Sequence, residues 1–223
     1  MNGKYAVMFD LDGTLLNTLD DLVNAVNYIL EKHGFPKREV FEVRRFLGNG
    51  ARDLMERSLP KGIGEDRFEA ILEEYKKYYN EHSKIFTKPY EGVTEALKEL
   101  KDREIRTAIV SNKPDDAVAT LAKEYFGELV DFSVGDRPDI CKKPAPDPLF
   151  FAAKALECER FVFVGDSETD ICAAKNAGVP CISVTWGFRD RDVLEEAGAE
   201  ITADTSSEML DKIYSIFAMN GDN

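Results

Sequence analysis

The sequence predicts an α/β fold in which a Rossmann-like parallel sheet core is interrupted by an inserted all-α domain. Three observations lead there. Ala6-Val-Met-Phe9 is apolar without alternation, as expected of a strand buried on both faces of a parallel sheet. From Pro89 onward, strand-like apolar runs alternate with helix-like ones, the pattern of a sheet covered on both faces by helices. Between these regions lie four consecutive helical runs, where a doubly wound sheet would return with its second strand after ~30 residues. The expected division is a core of residues 1–16 and 83–223 with a helical insertion of 17–82.

The first strand ends in Asp10 and Asp12, on either side of Leu11, followed by Gly13 and Thr14. An extended chain would put both carboxylates on one side and turn Leu11 the other way. Next, Leu19, Leu22, Val23, Val26, Ile29 and Leu30 fall at helical spacing, closing near His33-Gly34 with Pro36 just beyond. Further helical runs cover 40–47 and about 51–59, parted by Gly48-Asn49-Gly50. The fourth carries Phe68, Ile71, Leu72, Tyr75, Tyr78 and Tyr79 opposite a face rich in Glu and Lys. The second half predicts a strand at 105–110, a helix at 114–126 and a strand at 129–134. A proline-rich loop then leads to a helix at 148–156, a strand at 161–164 and a helix at 169–177. A strand at 181–184, a short helix at 193–197, a weak strand at Ile201 and a terminal helix complete the series.

The net charge of -13 argues against a nucleic-acid partner, so an anionic ligand must be drawn by local cations. The four cysteines, Cys141, Cys158, Cys172 and Cys181, contain no Cys-x-x-Cys pair and are expected as buried, reduced thiols. There is no basic-then-apolar leader and no apolar run of the ~18 residues that a membrane span needs. A cytoplasmic protein without a membrane partner is the expectation.

Two carboxylates side by side repel unless a cation or a proton lies between them, which points to a reaction centre at Asp10 and Asp12. A plain Asp-Gly turn accounts for Asp12-Gly13 but leaves Asp10 unexplained. A calcium loop counted from Asp10 would need an oxygen ligand, Gly and Glu where the chain has Thr14, Leu15 and Asp21. In open parallel sheets, ligands bind beyond the carboxyl ends of the strands. The successive strand ends bring Asp10 and Asp12, then Ser111 and Asn112, then Lys143, then Asp166 and Asp170. Ser111 and Asn112 could instead cap the following helix, Lys143 could be a solvated surface residue, and Asp166 and Asp170 could serve only the helix start. Taken together, carboxylates without softer ligands suit Mg²⁺, and a lysine with a hydroxyl suits phosphate oxygens. Phosphoryl transfer fits such a set.

Asp10-x-Asp12-Gly13-Thr14, Ser111-Asn112, Lys143-Pro144 and Gly165-Asp166-Ser167-x-x-Asp170 resemble, in order, the four motifs of the haloacid dehalogenase superfamily. The helical insertion resembles its α-helical cap. Leu47-Gly-Asn-Gly50 and Thr185-Trp-Gly-Phe-Arg189 are most similar to the phosphoglycolate phosphatases within it. The resemblance implies a hydrolase of small phosphomonoesters, with 2-phosphoglycolate the best guess. Asp10 would be the nucleophile and Asp12 the acid and then the base. Mg²⁺ would be held by Asp10, the carbonyl of Asp12 and Asp166; Ser111, Asn112 and Lys143 would hold phosphate. Thr14 would brace the loop, and Asp170 would orient Lys143 or bind metal through water. An acid at position 12 excludes the true dehalogenases, whose halide needs no proton. In the insertion, Gly48, Asn49 and Gly50 could form a specificity loop or a plain turn. Arg44, Arg45 or Arg52 could meet a substrate carboxylate or belong to a solvated charged face. Phosphatases of nucleotides, pyrophosphate or sugar phosphates, and a phosphosugar mutase, stay open as alternatives.

Overall fold

The computed structural model describes residues 5–219. In chain order these form β1 (Tyr5–Phe9), β2 (Leu16–Asn17), α1 (Leu19–Lys32), α2 (Val40–Phe46), α3 (Ala51–Ser58), α4 (Glu65–His82), β3 (Lys88–Pro89), α5 (Val93–Asp102) and β4 (Arg106–Pro114). There follow α6 (Asp115–Tyr125), β5 (Phe132–Asp136), α7 (Asp147–Ala155), β6 (Arg160–Gly165), α8 (Glu168–Ala177), β7 (Cys181–Val184), α9 (Arg191–Glu196), β8 (Thr202–Ala203) and α10 (Ser206–Met219). Six strands form one parallel sheet in the order β5-β4-β1-β6-β7-β8. Counted within that sheet, this is the doubly wound 3-2-1-4-5-6 order, which opens a crevice where the winding reverses. Here the reversal falls between β1 and β6. No helix among the described residues is long and apolar enough to cross a membrane.

The unbroken apolar run of β1 follows from cover on both faces. Val7 and Phe9 pack with Leu97 of α5, Leu121 of α6 and Ile213 of α10. Ala6 and Met8 pack the other way, against Leu149 and Ala152 of α7 and Ala173 and Ala174 of α8. Burying each larger side chain stabilises by about 1.5–3 kcal/mol, so a polar residue is tolerated only where the strand ends.

The four helices α1–α4 share a hydrophobic cluster of their own around Val26, Ile29, Leu30, Met55, Ile71 and Leu72. Phe188, from the loop after β7, also enters it. The chain enters and leaves this layer through β2 and β3, which pair antiparallel, Leu16 with Pro89 and Asn17 with Lys88. Asp21 reinforces the joint: it accepts from the N–H groups of Phe86 and Thr87 and, at 2.7 Å, from the Thr87 hydroxyl.

Several expectations need correction. Leu11 is fully buried and packs in the same cluster as Phe9. The chain turns there instead of running on extended: Leu15 and Leu16 donate to the Leu11 carbonyl at 3.0 and 2.9 Å. The cysteines are all free, as expected, but Cys141 and Cys172 are exposed and the other two half-buried. Helix α8 turns Ile171, Ala173 and Ala174 inward, which leaves Cys172 outward. The β2–β3 ribbon is too short to leave a pattern in the sequence. β5 begins at Phe132, because a tight turn occupies Gly127–Leu129.

Candidate active site

The Asp10 N–H donates to the Val164 carbonyl at 2.9 Å, which pins the end of β1 against β6 at the point where the winding reverses. Its Oδ1 accepts from the Leu11 N–H at 2.7 Å and lies 3.0 Å from Lys143 Nζ. Its Oδ2 has no protein hydrogen bond among the described residues. The Lys143 side chain is 1% exposed and also meets Asp170 Oδ1 at 2.7 Å. The second oxygen of Asp170 accepts from the Ser167 hydroxyl and N–H, closing a capping box at the start of α8. Asp170 therefore caps a helix and orients the lysine at once. The contact with Lys143 leaves both of its expected roles open, since Asp170 also lies in the cluster with Asp10 and Asp166.

Asp166 accepts from the Thr14 hydroxyl at 3.0 Å and from the Phe188 N–H at 2.7 Å. Thr14 thus braces the loop by holding an aspartate from another strand. Gly13 sits at φ +85°, and a Cβ there would collide with the Asp166 carboxylate, so position 13 needs glycine on two counts. Asp10, Asp166 and Asp170 each offer an oxygen within 4.8 Å of the other two. Burial pushes Asp166 up to about 8; Asp170 and Asp10 add to the rise, and the Phe188 N–H and Thr14 oppose it. Burial likewise pushes Asp10 up to about 6, against the pull of Lys143. For Lys143, burial acts downward, but Asp10 and Asp170 outweigh it and hold the ammonium above its ordinary range. One ammonium among three buried carboxylates leaves positive charge in deficit. An all-oxygen donor set with that deficit fits Mg²⁺.

Asp12 turns its carboxylate elsewhere. It accepts from Thr18 Oγ1 at 2.8 Å, and both its oxygens lie 2.9 Å from Lys113 Nζ. Its carboxylate is thus engaged away from the cluster of Asp10, Asp166 and Asp170. Lys113, 4% exposed at its side chain, escaped the sequence reading, as did its partner Tyr79, whose hydroxyl it meets at 2.7 Å. The available signal was a charged residue directly after Ser111-Asn112, still within a strand end.

A cavity of about 60 Å³ lies between the sheet edge and the helices, with Asp10, Asp12, Ser111, Lys113, Tyr79 and Gly48 in its wall. Ser111 is buried there, and neither it nor Asn112 caps α6, whose N-cap is Pro114. The Asn112 amide donates to the carbonyls of Gly48 and Lys143 at 3.1 and 2.9 Å. Both its side-chain N–H groups are thus spent, and its buried Oδ1 has no partner among the described residues. The Asn112 side chain is therefore a strut joining two loops, which leaves its backbone N–H as the donor for the expected phosphate contact.

The loop of Gly48, Asn49 and Gly50 rests on the sheet edge. Asn49 Oδ1 accepts from Thr169, and its carbonyl accepts from Lys142 at 2.8 Å. At Gly50, φ is +89° and a Cβ would stand 2.8 Å from the Asn112 carbonyl. Arg189 donates to the carbonyls of Arg44 and Leu47 at the end of α2 while pairing with Glu168. Arg45 and Arg52 are not brought to the cavity wall. Arg45 is exposed and lies over Phe41; Arg52 pairs with Glu56, Glu65 and Glu69. Intrahelical and interhelical acids hold Arg52 on the solvent side, and Arg45 stays on the exposed face of α2 over Phe41.

A doubly wound parallel sheet, with a lysine among buried aspartates at its carboxyl edge and four helices over them, defines an α/β enzyme with a centre suited to phosphate chemistry. The chain belongs to the haloacid dehalogenase-like hydrolases, whose family profile matches residues 7–184. It is 40% identical over 200 residues to phosphoglycolate phosphatase 1 of Pseudomonas aeruginosa, spanning 86% of this chain and 73% of that relative. It is 35% identical over 206 residues to a phosphoglycolate phosphatase of Neisseria meningitidis, spanning 87% of this chain and 86% of the other. A crystal structure of a candidate phosphoglycolate phosphatase from Lactobacillus delbrueckii subsp. bulgaricus has a TM-score of 0.88 at 33% identity, covering 93% of this chain and 97% of that one.

Proposed function

We propose that this phosphoric monoester hydrolase acts on 2-phosphoglycolate through an aspartyl-phosphate at Asp10. The observation that carries the mechanism is the contrast between the two aspartates. Asp10 keeps one oxygen free of protein bonds beside a buried lysine, whereas Asp12 is held apart by Thr18 and Lys113. Asp10 attacks phosphorus, and the bond from phosphorus to the leaving oxygen breaks as Asp12 gives that oxygen its proton. Asp12 then takes a proton from water, whose oxygen attacks phosphorus and releases Asp10 as carboxylate. Lys143 and Ser111 hold the phosphate oxygens. Asp10, Asp166 and the Asp12 carbonyl would hold Mg²⁺. When bound, the ion supplies the charge neutralisation that lets a carboxylate approach a phosphate.

The helices of residues 17–82 act as a cap over the core of 1–16 and 83–223. Their separate hydrophobic cluster, the β2–β3 joint and the seating of Gly48-Asn49-Gly50 on the sheet edge support that division. The names of the relatives support the substrate, and so does the cavity, which holds only a few water-sized groups. Four free thiols, two of them exposed, support a reducing, cytoplasmic setting, and the net charge of -13 supports a small-molecule partner rather than nucleic acid. The test is kcat/KM with Mg²⁺ over a panel of phosphate esters. We expect 2-phosphoglycolate to rank first; a nucleotide or hexose phosphate at the top would overturn the substrate assignment.

A further inference from the structure

We propose that Lys113 and the Tyr79 hydroxyl form the subsite for the carboxylate of the leaving group, an inference that rests on the 2-phosphoglycolate reading. Lys113 Nζ touches both oxygens of Asp12, the group assigned to protonate the leaving oxygen. In 2-phosphoglycolate, one methylene separates that oxygen from the carboxylate. A cation bonded to the acid therefore stands next to where the carboxylate must lie.

The other cations are committed elsewhere. Lys143 is shared by Asp10 and Asp170 on the phosphate side. Arg189 pairs with Glu168 and with the carbonyls that end α2, and Arg44 pairs with Asp190. Lys76, also in the wall, pairs with Glu73 in an exposed contact. Lys113 is nearly sealed from solvent, where a charge pair is screened least.

Tyr79 supplies the open donor. Its hydroxyl accepts from Lys113, and its own proton has no acceptor among the described residues. The residue is 4% exposed and stands in the cavity wall. Burial raises its phenol far above the ordinary range, so the proton is present at any working pH. Because Tyr79 comes from α4 and Lys113 from β4, the subsite exists only when helices and sheet are together. A carboxylated ester would thus complete the bond network that spans the two with an anionic acceptor, while a neutral alcohol offers Lys113 and Tyr79 only a weaker, uncharged one.

The experiment compares kcat/KM for 2-phosphoglycolate and 2-hydroxyethyl phosphate, which replaces the carboxylate by a neutral alcohol on the same skeleton. Wild type should prefer the carboxylated ester. In Lys113→Met the preference should fall about 10- to 100-fold, the scale of a charge-assisted hydrogen bond, mainly through KM for 2-phosphoglycolate. In Tyr79→Phe it should fall about three- to tenfold. If Lys113→Met does not fold, Tyr79→Phe decides by the same ratio. An unchanged ratio in the folded variants overturns the subsite and leaves the substrate reading intact. No preference in wild type overturns the substrate reading and the subsite with it.

Discussion

At the carboxyl edge of the sheet, Lys143 and Lys113 are nearly sealed from solvent; Lys143 bonds Asp10 and Asp170, and Lys113 bonds Asp12, all distant in the chain. On the outer face of the helices, Arg52 is 45% exposed and bonds Glu56, Glu65 and Glu69. The same chemistry has different weight in the two places. Exposed pairs contribute about 0–1 kcal/mol, whereas removing one member of a buried set leaves its partners uncompensated in a low dielectric. The buried cations at this edge accordingly come from the sheet and its loops. The helical layer contributes Gly48, Gly50, the Tyr79 hydroxyl, Asn80 and the partly exposed Lys76 to the cavity wall.

Asp10→Asn should break the edge most completely. Turnover should fall by at least about four orders of magnitude in steady-state assays. Because burial disfavours the Asp10 carboxylate, the metal-free variant should melt at pH 8 no lower than wild type. Lys143→Met should also abolish turnover and, in addition, cost about 3–5 kcal/mol in a urea melt, since Asp10 and Asp170 would lose their shared partner.

The next effect is on pH dependence. A carboxyl raised in the folded state stabilises the fold fully below its ordinary pKa, and that contribution is lost as pH rises through the folded value. For Asp10 and Asp166 those values are about 6 and about 8; Lys143, held above its ordinary range, stays charged throughout. The melting temperature of the metal-free protein should therefore fall between pH 5 and pH 9. Added Mg²⁺ should raise it, by more at pH 9 than at pH 5. A Mg²⁺ effect equal at both ends would break the link between the buried acids and the ion. The smallest expected effect is that of Arg52→Ala on the helical face: within about 1 kcal/mol of stability, with the preference for 2-phosphoglycolate over 2-hydroxyethyl phosphate unchanged. A collapse of that preference would return the carboxylate to the helices.

The contrast also explains what could be read from sequence. Asp10, Asp12, Ser111, Lys143, Asp166 and Asp170 sit at the ends of apolar strands, and the rule that ligands gather there converts their order into proximity. The helical residues obey no such rule. Arg45 and Arg52 looked suitable by charge, but which face of a helix meets the sheet depends on how four helices pack. Lys113 was missed for a related reason. A lysine after a strand is usually solvated, and only the arrival of Tyr79 from α4 and Asp12 from β1 seals it. Asn112 shows the converse: its position was legible, but the two carbonyls that occupy its amide come from loops far along the chain.

The bond from Asp10 to phosphorus can be trapped directly. Rapid quenching during turnover of 2-phosphoglycolate, reduction with borohydride and peptide mapping would convert an aspartyl-phosphate to homoserine at the residue that carried it. Homoserine is expected at position 10 and nowhere else. Homoserine at position 12, or complete turnover with no reducible intermediate, would contradict that bond.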